Sequence, residues 1–109
     1  TTASTVYSYG HRNPQGLIYD AVNNRIWEHE HGPMGGDEIN LIEKGKNYGW
    51  PLVSYGKNYD GVTVSSDPRA NGITDPLKYW VPSIAPSGMA LITSDQFKTW
   101  KGNILTGSL

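Results

Sequence analysis

The residues able to do chemistry fall in four stretches of the chain. The first is Gly10-His11-Arg12-Asn13-Pro14-Gln15-Gly16. Arg12 brings a planar fork of donors suited to carboxylates and other anionic oxygens, and Asn13 an amide that both donates and accepts. Pro14 stiffens the turn that presents them and the flanking glycines free it, an arrangement that suits an anionic ligand. The structural alternative is a polar turn in which Arg12 serves only backbone carbonyls.

The second stretch is Glu28-His29-Glu30-His31-Gly32-Pro33-Met34-Gly35-Gly36-Asp37-Glu38. On a strand, Glu28 and Glu30 share one face and His29 and His31 the other, so the two histidines could pair on zinc if a distant third ligand joined them. Without that ligand they read as hydrogen-bonded rim residues. The Gly-Pro and Gly-Gly-Asp-Glu portion exposes carbonyls beside carboxylates, the oxygen-rich supply that a hard cation such as calcium prefers. Calcium is therefore the stronger expectation.

The third stretch is Asn47-Tyr48-Gly49-Trp50-Pro51, with Tyr55 and Tyr59 close behind. Its aromatics either stack on a flat ligand ring or pack the loop onto the core. The fourth, Tyr79-Trp80-Val81-Pro82-Ser83-Ile84-Ala85-Pro86-Ser87-Gly88, is an extended segment stiffened by two prolines and carrying serine donors. None of the four holds a nucleophile paired with a base, and there is no glycine-rich phosphate loop.

The elements that must position these stretches are strands. Thirteen Gly, seven Pro, seven Tyr and four Trp against a single Phe make a turn-rich, mostly β composition in a chain of 109 residues, read as one small unit. Strand character falls at 6–9, 16–19, 25–29, 38–42, 77–80, 89–93 and 103–106, with a hairpin turn at Asn23-Asn24. Ser94 is expected to cap one helical turn, and 44–70 to form a long loop. The segments Arg25-Ile26-Trp27-Glu28 and Gly102-Asn103-Ile104-Leu105 read as equivalent strands of successive repeats about 75 residues apart. Because the chain stops inside a strand pattern at Gly107-Ser108-Leu109, truncation is expected. Uncovered sheet edges would then favour a homodimer by edge exchange.

A net charge of -1 with scattered basic residues argues against nucleic acid and anionic lipid as partners. No apolar run is long enough to span a bilayer, so membrane insertion is not expected. The absence of cysteine excludes disulfides, thiolate catalysis and Cys-ligated zinc.

Taken together, Gly10 to Gly16, Glu30-His31-Gly32-Pro33, Gly36-Asp37-Glu38-Ile39-Asn40 and Gly45-Lys46-Asn47-Tyr48-Gly49-Trp50-Pro51 resemble the signature of the glucose/sorbosone dehydrogenase family, in its aldose sugar dehydrogenase branch. The resemblance runs through essentially all of residues 1–109. It implies part of a six-bladed β-propeller, one to two blades with long loops, that holds pyrroloquinoline quinone (PQQ) in a top-face cleft and uses calcium. The implied reaction oxidises the C1 hydroxyl of an aldose to the lactone, with electrons passing to a native or artificial acceptor.

By the same resemblance, Arg12 and Asn13 contact PQQ, with Arg12 stabilising negative charge on the quinone oxygens. Tyr59 and Val81, Pro82, Ser83 and Ile84 line the cleft, Ser83 as a side-chain donor, and Ser108 and Leu109 are the remnant of a further cofactor motif. Carbonyls of Gly32 and Pro33 hold the calcium beside PQQ, while Glu38 and the Tyr48 carbonyl hold a second, structural one. Val81 stands where some relatives have a stacking Trp. The family's general-base histidine has no counterpart, His11 does not replace it, and the chain alone is expected not to turn over sugar. A periplasmic or secreted location follows from the family only. The competing readings are a non-enzymatic sugar- or partner-binding β-module and a zinc hydrolase built on His29 and His31.

Overall fold

The computed structural model describes residues 5–109, and they form a nearly all-β structure. Four strands, β1 (Pro14–Asp20), β2 (Arg25–Glu30), β3 (Asp37–Ile42) and β4 (Lys78–Trp80), make one antiparallel sheet in chain order. Such a four-stranded meander is the unit of a propeller blade. A second sheet contains β5 (Pro86–Leu91) and β6 (Ile104–Ser108), joined through a short 3₁₀ segment at Asp95–Trp100. The expected all-β class and partial propeller are both observed.

Local chemistry explains the turns. Asn24 adopts φ 51, the left-handed conformation that Asn tolerates, and its side-chain oxygen accepts from the Tyr19 hydroxyl at 2.8 Å. Buried Asp20 closes the same hairpin by accepting from the backbone N–H groups of Val22 and Asn23. Ser94 caps the 3₁₀ segment, accepting from Gln96 N at 3.1 Å.

Arg25-Ile26-Trp27-Glu28 falls on β2 and the segment from Gly102 to Gly107 leads into β6, each the second strand of an antiparallel pair. Two strand expectations shift. Segment 6–9 forms only an isolated bridge, Tyr9 with Asn47, because its backbone pairs with the 45–48 loop. Strand β5 starts at Pro86 and carries an irregularity between Pro86 and Met89, just after Ala85 at φ 47. The long loop is real: among the described residues no strand lies between β3 and β4.

The first sheet packs one face of β1 and β2 against β5, and its interior is mostly polar. Glu28, His29, Glu30, Asp37, Glu38 and Asn40 are buried, whereas among the described residues the buried hydrophobic ones are only Ile42, Tyr48 and Ile92. Burial on that scale demands partners for each polar group.

Candidate functional site

Strand β2 ends where the first two chemical stretches meet. The carboxylate of Glu30 accepts from the backbone N–H groups of Arg12 and Asn13, at 2.6 and 3.2 Å, and so fixes the turn before Pro14. The Arg12 guanidinium then reaches across: Nη1 donates to the carbonyls of His31 and Gly32 at 3.2 and 2.8 Å, and Nη2 to the Tyr59 hydroxyl at 3.4 Å. Its charge lies 5.3 Å from the Trp50 ring centroid, a cation–π contact. The Asn13 side-chain oxygen accepts from Gln15.

Asp37, fully buried at the start of β3, is the hub of the neighbouring loops. One oxygen accepts from Gly32 N at 2.9 Å; the other accepts from the Ser83 hydroxyl, Ile84 N and Ala85 N at 2.5, 2.8 and 3.0 Å. The Gly32-Pro33 turn and the 83–85 loop are thus held by one carboxylate whose sequence partners lie up to 48 residues away. Beyond that loop, Ser108 donates to the Ile84 carbonyl at 2.6 Å, Leu109 N to the Ala85 carbonyl, and His31 Nε2 lies 2.7 Å from the Pro86 carbonyl. Two glycines make the packing possible. A Cβ on Gly32 would collide with the Gly35 carbonyl, and one on Gly36 (φ +75) with the backbone of Gly56.

These constraints open a cleft of about 500 Å³ lined by Pro33, Met34, Gly35, Tyr55, Lys57, Tyr59, Val81, Pro82 and Ser83. Tyr59 stands 77% exposed at its rim. The hydroxyl hydrogen of Ser83 is directed at Asp37 rather than into the cleft, so Ser83 does not supply the free side-chain donor expected of it.

Behind the Arg12 turn lies a second arrangement. Glu28 pairs with Asn40 and Glu30 with Glu38 across the β2–β3 ladder, placing three carboxyls and one amide on one buried face. Asn40 Nδ2 donates to Glu28 at 3.0 Å and, more weakly, to Glu38 at 3.4 Å. Burial first, then the Glu30 charge, pushes the Glu28 and Glu38 carboxyls each up to about 8. Burial also raises Glu30, against the pull of the Arg12 and Asn13 N–H groups. A small pocket of about 10 Å³ lies between Glu30, Glu38, Gly36, Tyr48 and Trp50, room for one water-sized sphere. Tyr48 is anchored there, its hydroxyl donating to the Leu41 carbonyl at 2.5 Å and accepting from Glu43 N. His11 stacks on the Tyr48 ring at 4.8 Å and its Nε2 meets the Ser8 hydroxyl; burial lowers its pKa and favours neutral imidazole.

The chain thus gathers Arg12, Gly32 and Tyr59 at one contact, Pro33, Tyr59, Val81, Pro82 and Ser83 around one cleft, and Glu38 with Tyr48 around one cavity. Ile84, Ser108 and Leu109 meet along the next loop. His29 and His31 do not act as a pair. His31 is committed to Pro86, whereas fully buried His29 packs against Gly16 and its ring nitrogens make no hydrogen bond. Sequence reasoning missed the structural weight of Glu30 and Asp37. The Glu-x-Glu alternation pointed to the first; nothing local pointed to the second.

An all-β meander carrying this loop hub is a propeller-type blade, and sequence comparison makes the assignment specific: the Glucose / Sorbosone dehydrogenase family matches residues 1–109, and the chain belongs to that family. It is 47% identical over 109 residues to Aldose sugar dehydrogenase YliI of Escherichia coli (strain K12), covering 95% of this chain and 29% of that protein. The crystal structure of the apo-form soluble aldose sugar dehydrogenase from Escherichia coli superposes with a TM-score of 0.89 at 46% identity, over 95% of this chain and 30% of that one. The PQQ-bound aldose sugar dehydrogenase of Streptomyces coelicolor gives a TM-score of 0.69 at 36% identity, over 97% and 26%. The chain therefore spans less than a third of the length of these relatives.

Proposed function

We propose that this chain forms part of the cofactor cleft of a PQQ- and calcium-dependent aldose dehydrogenase that oxidises the sugar C1 hydroxyl to the lactone. The observation that carries the reading is a cleft lined by Pro33, Tyr59, Val81, Pro82 and Ser83, with Arg12 held at its edge through the Gly32 carbonyl and the Tyr59 hydroxyl. PQQ, when bound, supplies the two-electron oxidant that takes up hydride from the sugar. Arg12 serves as the preorganised cation. Two carbonyls, one hydroxyl and the Trp50 face hold its guanidinium, so little reorganisation accompanies the growth of negative charge beside it. Asn13, Tyr59, Val81, Pro82, Ser83, Ile84, Ser108 and Leu109 shape the walls.

The donor set also fits a hard cation. Buried Glu28, Glu30 and Glu38 crowd one face with few donors, and a dication beside Glu38 and the Tyr48 carbonyl would restore all three to their charged forms. The carbonyls of Gly32 and Pro33 are the corresponding oxygen ligands for calcium on the cofactor side. Export to the periplasm and transfer of electrons to a separate acceptor belong to the same reading.

The test is a PQQ titration of the 109-residue chain followed by tryptophan fluorescence, with calcium present or chelated. Saturable, calcium-dependent quenching is expected, weakened about tenfold by Arg12→Lys through loss of the fork geometry. Quenching that is absent or indifferent to Arg12 would sink the reading. Dye reduction with an aldose is expected to be absent from this chain alone, because among the described residues no histidine or carboxylate lines the cleft to serve as general base.

A further inference from the structure

We infer that His11, Glu28 and Glu30 form a distinct site for a borderline transition-metal dication of the zinc class. One ligand atom from each lies within 4.8 Å of those of the other two, the only such trio of metal-ligating side chains among the described residues. The donors come from two separate elements, the turn before β1 and strand β2, so their meeting is a property of the fold rather than of one acidic run.

A second observation points to a ligand. Glu28 is only 3% exposed, and its Oε1 has no hydrogen-bond partner although Oε2 accepts from Asn40. His11 Nδ1 is likewise buried and unpartnered, while Nε2 is occupied by Ser8. An unpartnered carboxylate oxygen and an unpartnered imidazole nitrogen, buried within one such trio, are costly unless a ligand joins them. Stacking on Tyr48 fixes the imidazole plane.

Donor chemistry separates this trio from the oxygen-only set at Glu38 and Tyr48. Imidazole favours zinc, cobalt and nickel over calcium, and three protein ligands leave a fourth position for water or an exchangeable group. An entry path exists: an open cleft of about 430 Å³, bounded by Ser8, His11, Gln15, Leu17 and Glu28, reaches the trio from solvent.

The test uses the full chain freed of metal, titrated with Zn²⁺ by calorimetry and with Co²⁺ by visible absorption in the presence of excess calcium. One equivalent is expected to bind, with a Co²⁺ spectrum of mixed nitrogen and oxygen ligation. His11→Phe, which keeps the stack on Tyr48, and Glu28→Gln, which keeps the contact with Asn40, should each weaken binding about tenfold or more. Asp67→Asn, in the exposed loop away from both carboxylate groups, should leave it within about twofold. Two variants guard against misfolding, checked by circular dichroism. Absence of stoichiometric Zn²⁺ binding, unchanged affinity in both variants, or displacement of Zn²⁺ by calcium would each overturn the assignment. None of these outcomes depends on PQQ binding, so this inference and the cofactor reading fail separately.

Discussion

Strand β3 begins with two adjacent acids that meet opposite fates. Asp37 faces the loops and is completed by the protein itself, taking four donors from Gly32, Ser83, Ile84 and Ala85. Glu38, one residue on, faces Glu28 and Glu30 and receives only a long contact from Asn40. The first carboxylate is a finished piece of architecture. The second belongs to a group whose charge the polypeptide alone does not balance, and that imbalance is what a bound cation would correct.

The contrast can be broken most forcefully at Asp37. Asp37→Ala leaves three backbone N–H groups and a serine hydroxyl without their acceptor, and is expected to cost about 3 kcal/mol in urea denaturation. Loss of PQQ quenching should accompany it, with Asp37→Asn intermediate. A cost near zero would mean that the 83–85 loop is held by other contacts.

The glutamate side predicts a pH signature. Glu28 and Glu38 titrate near 8 in the folded chain against an ordinary 4.5, so between those values the folded state holds more protons than the unfolded one. Their stabilising contribution is complete below pH 4.5 and is lost as pH rises toward about 8. Without metal, the denaturation midpoint should therefore fall across that window, and a saturating dication should flatten the trend. A metal-free profile without this fall would remove the distinction between the two regions.

Smaller effects sharpen the same comparison. Glu28→Gln keeps the Asn40 contact, removes an uncompensated charge, and should stabilise the metal-free chain at pH 8 by about 1 kcal/mol in the same assay. Lys101→Ala, breaking the exposed 2.7 Å ion pair with Asp95 outside both regions, should change stability by less than about 0.5 kcal/mol. Size-exclusion chromatography of the wild-type chain is the remaining check: edge exchange through the uncovered strands predicts a dimer.

Much of this architecture was legible from residue types. The Asn23-Asn24 turn, the hairpin around it and the extended 38–42 segment follow from turn chemistry and β-branched content, and the ordered motifs from Gly10 to Pro51 carried the family. Alternation was misleading in one respect. Glu28, His29 and Glu30 are all buried, because β5 lies beside the His29 face and the His11–Tyr48 stack beside the glutamate face, so the rule of one wet face does not apply at this end of β2. Segment 6–9 looked like a strand for its β-formers, yet its backbone pairs with the 45–48 loop instead of a neighbouring strand. The Asp37 hub was invisible for a different reason, since its meaning depends on Ser83 to Ala85, which only the closed fold brings near.

The glycines behind the Gly32-Pro33 turn carry one more implication. At Gly36 and Gly56 an added Cβ meets main-chain atoms of another segment, and at Gly32 those of its own turn, rather than a movable side chain. In a saturation library covering the chain, these three codons should accept no alternative at all, even alanine, while Gly45, Gly61 and Gly72, which face open space, should vary at a cost set by their positive φ alone. Three points of close backbone passage would thus mark the cleft as an island of fixed sequence within a chain that elsewhere drifts.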